Sequence, residues 1–218
     1  MHMGLRENLA ELKAEFDRTA PADRRALYDA KIEELRASFV YDGTVHLGAE
    51  APDFDLPDVH GKRVLLSEQL KSGPVVLVFY RGGWCPYCNI QLRAYQTILP
   101  QISARGGHLV AISPQLPDGS VDTADKNALS FDVLSDVGNN VARSYGLVYA
   151  LPNELRALLR ENDRALPEIN GDDSWELPVA ATYVISQNRQ VALAHVDVDY
   201  RTRLEPETVL AVLDDIGL

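Results

Sequence analysis

The chain has 218 residues, 46% hydrophobic and 24% charged, with a formal net charge of −11. That composition is ordinary for a globular chain of one domain with or without an appendage. It disfavours nucleic acid and anionic membrane surfaces as partners, since both need clustered Lys and Arg.

No apolar run approaches the roughly 20 residues of a membrane span. The opening MHMGLRENLAELKAEF lacks the apolar core of a secretory signal. Two cysteines are too few for a disulfide-framed secreted scaffold, so the cytoplasm is the expected compartment.

Leu5, Leu9, Leu12 and Phe16 recur at helical spacing and predict an amphipathic helix over 5–17. A second helix is expected from Asp23 to about Phe39, with Leu27, Ile32 and Leu35 on its apolar side. Together they form an expected N-terminal helical extension over 1–44, packed on the main domain or on a second subunit. Their apolar faces raise the possibility of a homodimer.

From residue 45 the character changes, and 45–218 reads as the main domain. An extended, proline-punctuated segment over 48–58 leads to a short strand at Val64–Leu66, with Ser67 as a helix N-cap. Val75–Tyr80 is an uninterrupted apolar and β-branched run, a strand covered on both faces. His108–Ser113 is a second such strand, and the helix between them makes a βαβ unit.

Further on, the pattern predicts a helix over 121–130 and a strand over 131–134. Short helices follow over 138–145 and 152–160, and the polar stretch 161–178 reads as a long loop. A hairpin over 180–185 and 190–198 and a helix over 206–216 end the chain.

The chemistry is concentrated between the two central strands. Arg81-Gly82-Gly83 breaks the first strand, and Trp84 and then Cys85 and Cys88 follow as a CxxC that opens a helix. The first N–H groups of a helix lack intrahelical partners, and the dipole puts positive charge there. Cysteines so placed fall from about 8.5 to roughly 3.5–7.5 in pKa. Pro86 suits the first turn.

On this local argument Cys85, meeting the free N–H groups, is expected to be the more exposed and acidic thiol, with Cys88 shielded behind it. Trp84 is expected to line the site, and Tyr87, between the cysteines, either shapes its surface or only covers the helix. Zinc would need four ligands, and no second CxxC or paired histidines exist. His2, His46, His60, His108 and His195 are scattered and each reads as structural. GxGxxG and GK[ST] are absent, and no cofactor is expected.

Three stretches carry a resemblance: APDFDLPDVHGKRVLLSE (51–68), VVLVFYRGGWCPYC (75–88) and LPVAATYVIS (177–186), with a lesser match at AISPQ (111–115). They are similar to the peroxiredoxin-like branch of the alkyl hydroperoxide reductase/thiol-specific antioxidant family. The resemblance implies an α/β, thioredoxin-like fold: a central mixed sheet flanked by helices, with extra N-terminal strands. It also implies reduction of a hydroperoxide by a peroxidatic cysteine, resolution by a second thiol, and recycling by a thioredoxin-like or low-molecular-weight thiol reductant.

Registered on Phe79-Tyr80, the peroxiredoxin pattern puts Cys88 on the peroxidatic position. Registered on the thioredoxin Trp-Cys-x-x-Cys, Cys85 is the nucleophile. Where peroxiredoxins carry an arginine and thioredoxins a cis-proline beside the site, Ala180 or Ala181 stands here. Arg81 is the candidate replacement cation. Two other readings of the same dithiol are a general thiol–disulfide oxidoreductase and a non-catalytic redox sensor.

Overall fold

The computed structural model describes residues 4–217; His2 and the first residues of the expected extension lie outside them. The chain opens with α1 (Leu5–Thr19) and α2 (Ala22–Ser38), then β1 (Asp55–Pro57), β2 (Arg63–Leu65) and α3 (Leu66–Gln69). The unit β3 (Val75–Phe79), α4 (Pro86–Ala104), β4 (His108–Ser113) follows, then α5 (Pro117–Asn127) and β5 (Asp132–Ser135). Next come α6 (Asn140–Ser144), β6 (Val148–Ala150), α7 (Asn153–Glu161) and α8 (Leu166–Asn170). The chain closes with β7 (Glu176–Pro178), β8 (Ala180–Ile185), β9 (Val191–Asp197) and α9 (Pro206–Ile216).

A five-stranded sheet in the order β5-β4-β3-β8-β9 forms the centre. β3 runs parallel to β4, and β4 parallel to β5, while β8 is antiparallel to both β3 and β9. This is the expected mixed sheet flanked by helices. Successive side chains of a strand point to opposite faces, and β3 buries all of its residues. Val75, Leu77 and Phe79 enter one core with Leu66, Tyr145 and Tyr183. Val76, Val78 and Tyr80 enter the other with Leu92, Tyr95 and Ile102 of α4 and with both cysteines.

The N-terminal helices are part of the same body. Leu5 and Leu9 of α1 are buried in the α4 core. From α2, Leu35 packs against the opposite core, and Leu27 and Tyr28 against a satellite core of Leu151, Leu155, Leu159, Leu166, Trp175 and Leu177.

Three sequence expectations change. Leu65, not Ser67, is the N-cap of α3; Asp53 Oδ1 instead accepts the Ser67 N–H at 3.0 Å, a cap supplied from outside the helix. The fifth helix starts at Pro117, because proline suits a first turn even where no apolar periodicity announces it. The expected loop over 161–178 contains α8 and β7, and β7 pairs antiparallel with β6. Trp175 there is buried at a φ of 56°, under the guanidinium groups of Arg160 and Arg156, so it anchors the segment.

Truncating Leu9 to Ala removes a buried side chain from the α1–α4 contact and is expected to cost about 2–5 kcal/mol. Urea unfolding of the variant measures this; a loss below about 0.5 kcal/mol, the range of an inconsequential surface change, would show that α1 is not packed there.

Candidate active site

β3 delivers the chain to the site, and a glycine turn swings it into α4. Gly82 has a φ of +143°, a region that only glycine occupies readily, and a Cβ there would lie 2.4 Å from Trp84 Nε1. Gly83 passes so close to Thr123 that a Cβ would lie 2.1 Å from its Oγ1. Polar side chains pin the turn. Gly83 N–H donates to Gln115 Oε1 at 2.6 Å, and Asn89 Nδ2 donates to the Gly83 carbonyl at 2.8 Å. Asn127 Nδ2 in turn donates to Asn89 Oδ1 at 3.0 Å.

Cys85 is then the N-cap of α4, Pro86 its first residue, and Cys88 lies within the first turn. Both thiols are free and buried, Cys85 1% and Cys88 0% exposed. The expected exposure of Cys85 is therefore absent.

The segment after β9 closes over Cys88. Asp197 Oδ1 accepts the Asp199 N–H at 2.8 Å, and Asp197 Oδ2 accepts from Thr202 Oγ1 at 2.5 Å, folding 197–202 into a turn. That turn aims Arg203 inward. Its Nη2 donates to Cys88 Sγ at 3.4 Å and its Nε to Gln91 Oε1 at 2.6 Å. Its Nη1 donates to the carbonyls of Tyr200 and Thr202. Gln91 is itself held by Thr182 Oγ1 at 3.3 Å, which ties α4 to β8.

A second cation, Arg81, is 5% exposed and has Nε without a hydrogen-bond partner. It is sandwiched between the Tyr200 ring at 4.0 Å and the Trp84 ring at 4.8 Å. Neither Arg81 nor Arg203 has a carboxylate partner among the described residues.

Ionisation follows this geometry and not the helix end. Burial alone would raise the Cys88 thiol. The hydrogen bond from Cys85 and the charges of Arg203 and Arg81 outweigh it and hold Cys88 well below the ordinary thiol range. Burial pushes Cys85 up, and its hydrogen bond to Cys88 and the charge there push it further. The acidic thiol is Cys88, the reverse of the local expectation, because the hydrogen bond from Cys85 and the charges of Arg203 and Arg81 converge on it.

Cys85, Trp84, Pro86, Tyr87 and Arg81 line a cavity of about 160 Å³. Leu12 and Phe16 of α1, Tyr28 of α2 and Leu155 and Leu159 of α7 form its other walls, with Arg164 and Arg201 also lining it. Tyr87 packs edge-on against Tyr200 at 5.7 Å and lines the cavity.

The two alanines divide. Ala181 belongs to the core on the far face of the sheet, which removes it from the site. Ala180 shares the Thr182 face by strand period. None of His46, His60, His108 and His195 lines this cavity. His195 sits opposite Thr182 in register, half-buried and held below the usual imidazole range by burial. Among the described residues no cluster of three His, Cys, Asp or Glu side chains could hold a metal ion.

Arg203 escaped the sequence reading because nothing local marks it. Its charge is expected to set the Cys88 ionisation. In a Cys85→Ser background, Arg203→Met should move the midpoint of the iodoacetamide alkylation profile about 1–3 pH units higher. A midpoint that stays in place would remove Arg203 from the site.

Comparison with known proteins agrees with this architecture. The AhpC/TSA family profile matches residues 47–194. A curated relative, Peroxiredoxin Q, chloroplastic, of Triticum aestivum, is 34% identical over 128 residues, 59% of this chain and 58% of that protein. This chain therefore spans under two thirds of that relative's length. Thiol-disulfide oxidoreductase ResA of Bacillus thuringiensis subsp. konkukian (strain 97-27) is 27% identical over 139 residues, 63% of this chain and 78% of that protein. Among solved structures, the peroxidoxin BcpB of Mycobacterium tuberculosis superposes with a TM-score of 0.62 at 23% identity, over 79% of this chain and 98% of that one. With the profile spanning more than half of its length, the chain belongs to the AhpC/TSA family.

Proposed function

We propose that the chain is a thiol peroxidase in which Cys88 attacks and Cys85 resolves. The observation that carries this reading is the Arg203 guanidinium on Cys88 Sγ, 3.4 Å away, with a second cation, Arg81, acting on the same thiol and without a carboxylate partner among the described residues. A thiolate, not a thiol, is the nucleophile, and this arrangement supplies one in a water-poor setting.

The Cys88 thiolate attacks the distal oxygen of a hydroperoxide. The O–O bond breaks, Cys88 keeps the distal OH as the sulfenic acid, and the alkoxide leaves as the alcohol after taking up one proton from solvent. Arg81, which faces the cavity, is placed to stabilise the leaving oxygen. The Cys85 thiol then attacks the sulfenic sulfur, releasing water and closing the Cys85–Cys88 disulfide, and an external thiol restores both cysteines. Relatives named peroxiredoxin support this reading. The reducing cytoplasm would suit it, whereas the apolar faces of the N-terminal helices, the ground for expecting a homodimer, pack within the chain.

A second reading, thiol–disulfide oxidoreductase, is favoured by one observation: Cys85 lines the cavity and Cys88 does not. The name of the ResA relative agrees with it.

Single-turnover oxidation of the pre-reduced protein separates the two. With hydrogen peroxide or cumene hydroperoxide, Cys85→Ser should hold a sulfenate on Cys88, trapped by dimedone and located by peptide mass. Cys88→Ser should react no faster than an ordinary free thiol. A wild-type rate at that same baseline would contradict the peroxidase reading, and reduction of insulin disulfides would then favour the second. Arg81→Met should slow the peroxide step by roughly 10²–10³, the range for removing one such electrostatic stabiliser. An undiminished rate would exclude Arg81 from it.

A further inference from the structure

The oxidised centre must be re-reduced, and the enclosure of the site restricts what can do so. Resting on the peroxidase cycle above, we propose that the recycling reductant is a low-molecular-weight, anionic thiol that enters the cavity beside Cys85, and that α1 and α2 exclude protein dithiols from it.

Four observations point there. Cys85 is 1% exposed, and the space beside it is a recess of about 160 Å³, room for a few heavy atoms and not for the surface of a folded protein. The recess is walled by Leu12, Phe16 and Tyr28, and the Phe16 and Tyr28 rings pack edge-to-face at 5.7 Å.

The two helices are tied down. Arg25 Nη1 of α2 donates to the Asp17 carbonyl of α1 at 2.8 Å. Arg201 pairs with Asp29 at 2.5 Å, and Lys31 with Glu154 of α7 at 2.8 Å.

The charge inside the recess is opposite to that of the chain. Against a formal net charge of −11, the recess is lined by Arg81, Arg164 and Arg201. Arg201 is satisfied by Asp199 and Asp29, whereas Arg164 is exposed and makes no ion pair among the described residues. Arg164 is therefore available to a carboxylate on the incoming thiol.

The disulfide is polarised to be opened from this side. Cys85 faces the recess, and Cys88 sits under Arg203. A thiolate RS⁻ attacks Cys85 Sγ, the S–S bond breaks, and the electron pair leaves on Cys88, where the guanidinium receives it. Exchange is faster when the leaving thiolate is the more stable one. A second RS⁻ attacks the R-bearing sulfur of the mixed disulfide, releasing RSSR, and the departing Cys85 thiolate takes up a proton. Two thiols are oxidised and one disulfide is reduced.

The test uses full-length protein whose Cys85–Cys88 disulfide has been formed with diamide, so it does not depend on peroxide reactivity. Reduction is followed by stopped flow with 3-mercaptopropionate, 2-mercaptoethanol, cysteamine and reduced thioredoxin, each rate normalised to thiolate concentration. The expected order is anionic over neutral over cationic, spanning about tenfold, with thioredoxin slower than all three. Arg164→Glu should reverse the order between mercaptopropionate and cysteamine. Thioredoxin outrunning the small thiols overturns the proposal, and so do equal rates across the three small thiols. Failure of peroxide to form the disulfide would count against the peroxidase reading alone.

Discussion

The contact between Arg203 Nη2 and Cys88 Sγ is the constraint on which the site depends. A buried guanidinium without a counter-charge is costly, and breaking such a pair leaves that cost exposed. Here the pairing anion is a sulfur and not a carboxylate. Arg203 spends its other donors on Gln91 and on the carbonyls of Tyr200 and Thr202, and Arg81 on two aromatic faces. The negative charge that these cations require is the Cys88 thiolate. Oxidation removes that charge. Disulfide closure therefore works against the field of the site, while reduction restores the thiolate, the condition under which a disulfide becomes a ready oxidant.

The rest of the fold serves that contact. The β3–α4 turn places the two thiols within one helical turn, and its geometry holds only because Gly82 adopts a φ closed to other residues and Gly83 touches Thr123. The turn after β9 brings Arg203 across, and Gln91 and Thr182 lock the sheet to the helix at that point. Tyr200, one residue before Arg201 and three before Arg203, covers Arg81 and packs on Tyr87. The N-terminal helices then enclose what the thioredoxin-like core would leave open, placing Leu12, Phe16 and Tyr28 over the approach to Cys85. Among the described residues no helix is long and apolar enough to cross a membrane.

The elements legible in the sequence were those whose signal is local. β3 and β4 are uninterrupted apolar runs, α1 and α9 carry clear helical periodicity, and Cys85-x-x-Cys88 marks its own helix start. What was hidden depends on contacts. β7 exists as a strand because β6 lies beside it, and α3 is capped by Asp53 from a distant loop. The order of thiol acidity is hidden for the same reason. Helix-end reasoning counts only the N–H groups near Cys85, whereas the decisive charge arrives from Arg203, 115 positions from Cys88. Ala181 likewise looked adjacent to the site by alignment, and the strand alternation turns it to the other face.

The most direct test of this account is a pH titration of the two cysteine ¹³Cβ resonances in the reduced wild-type protein, which perturbs neither thiol. The resonance assigned to Cys88 is expected to titrate first, below the ordinary thiol range, with Cys85 remaining protonated until well above it. If Cys85 ionises first, the guanidinium pair does not govern the centre, and the assignment of attacking and resolving thiol must be exchanged.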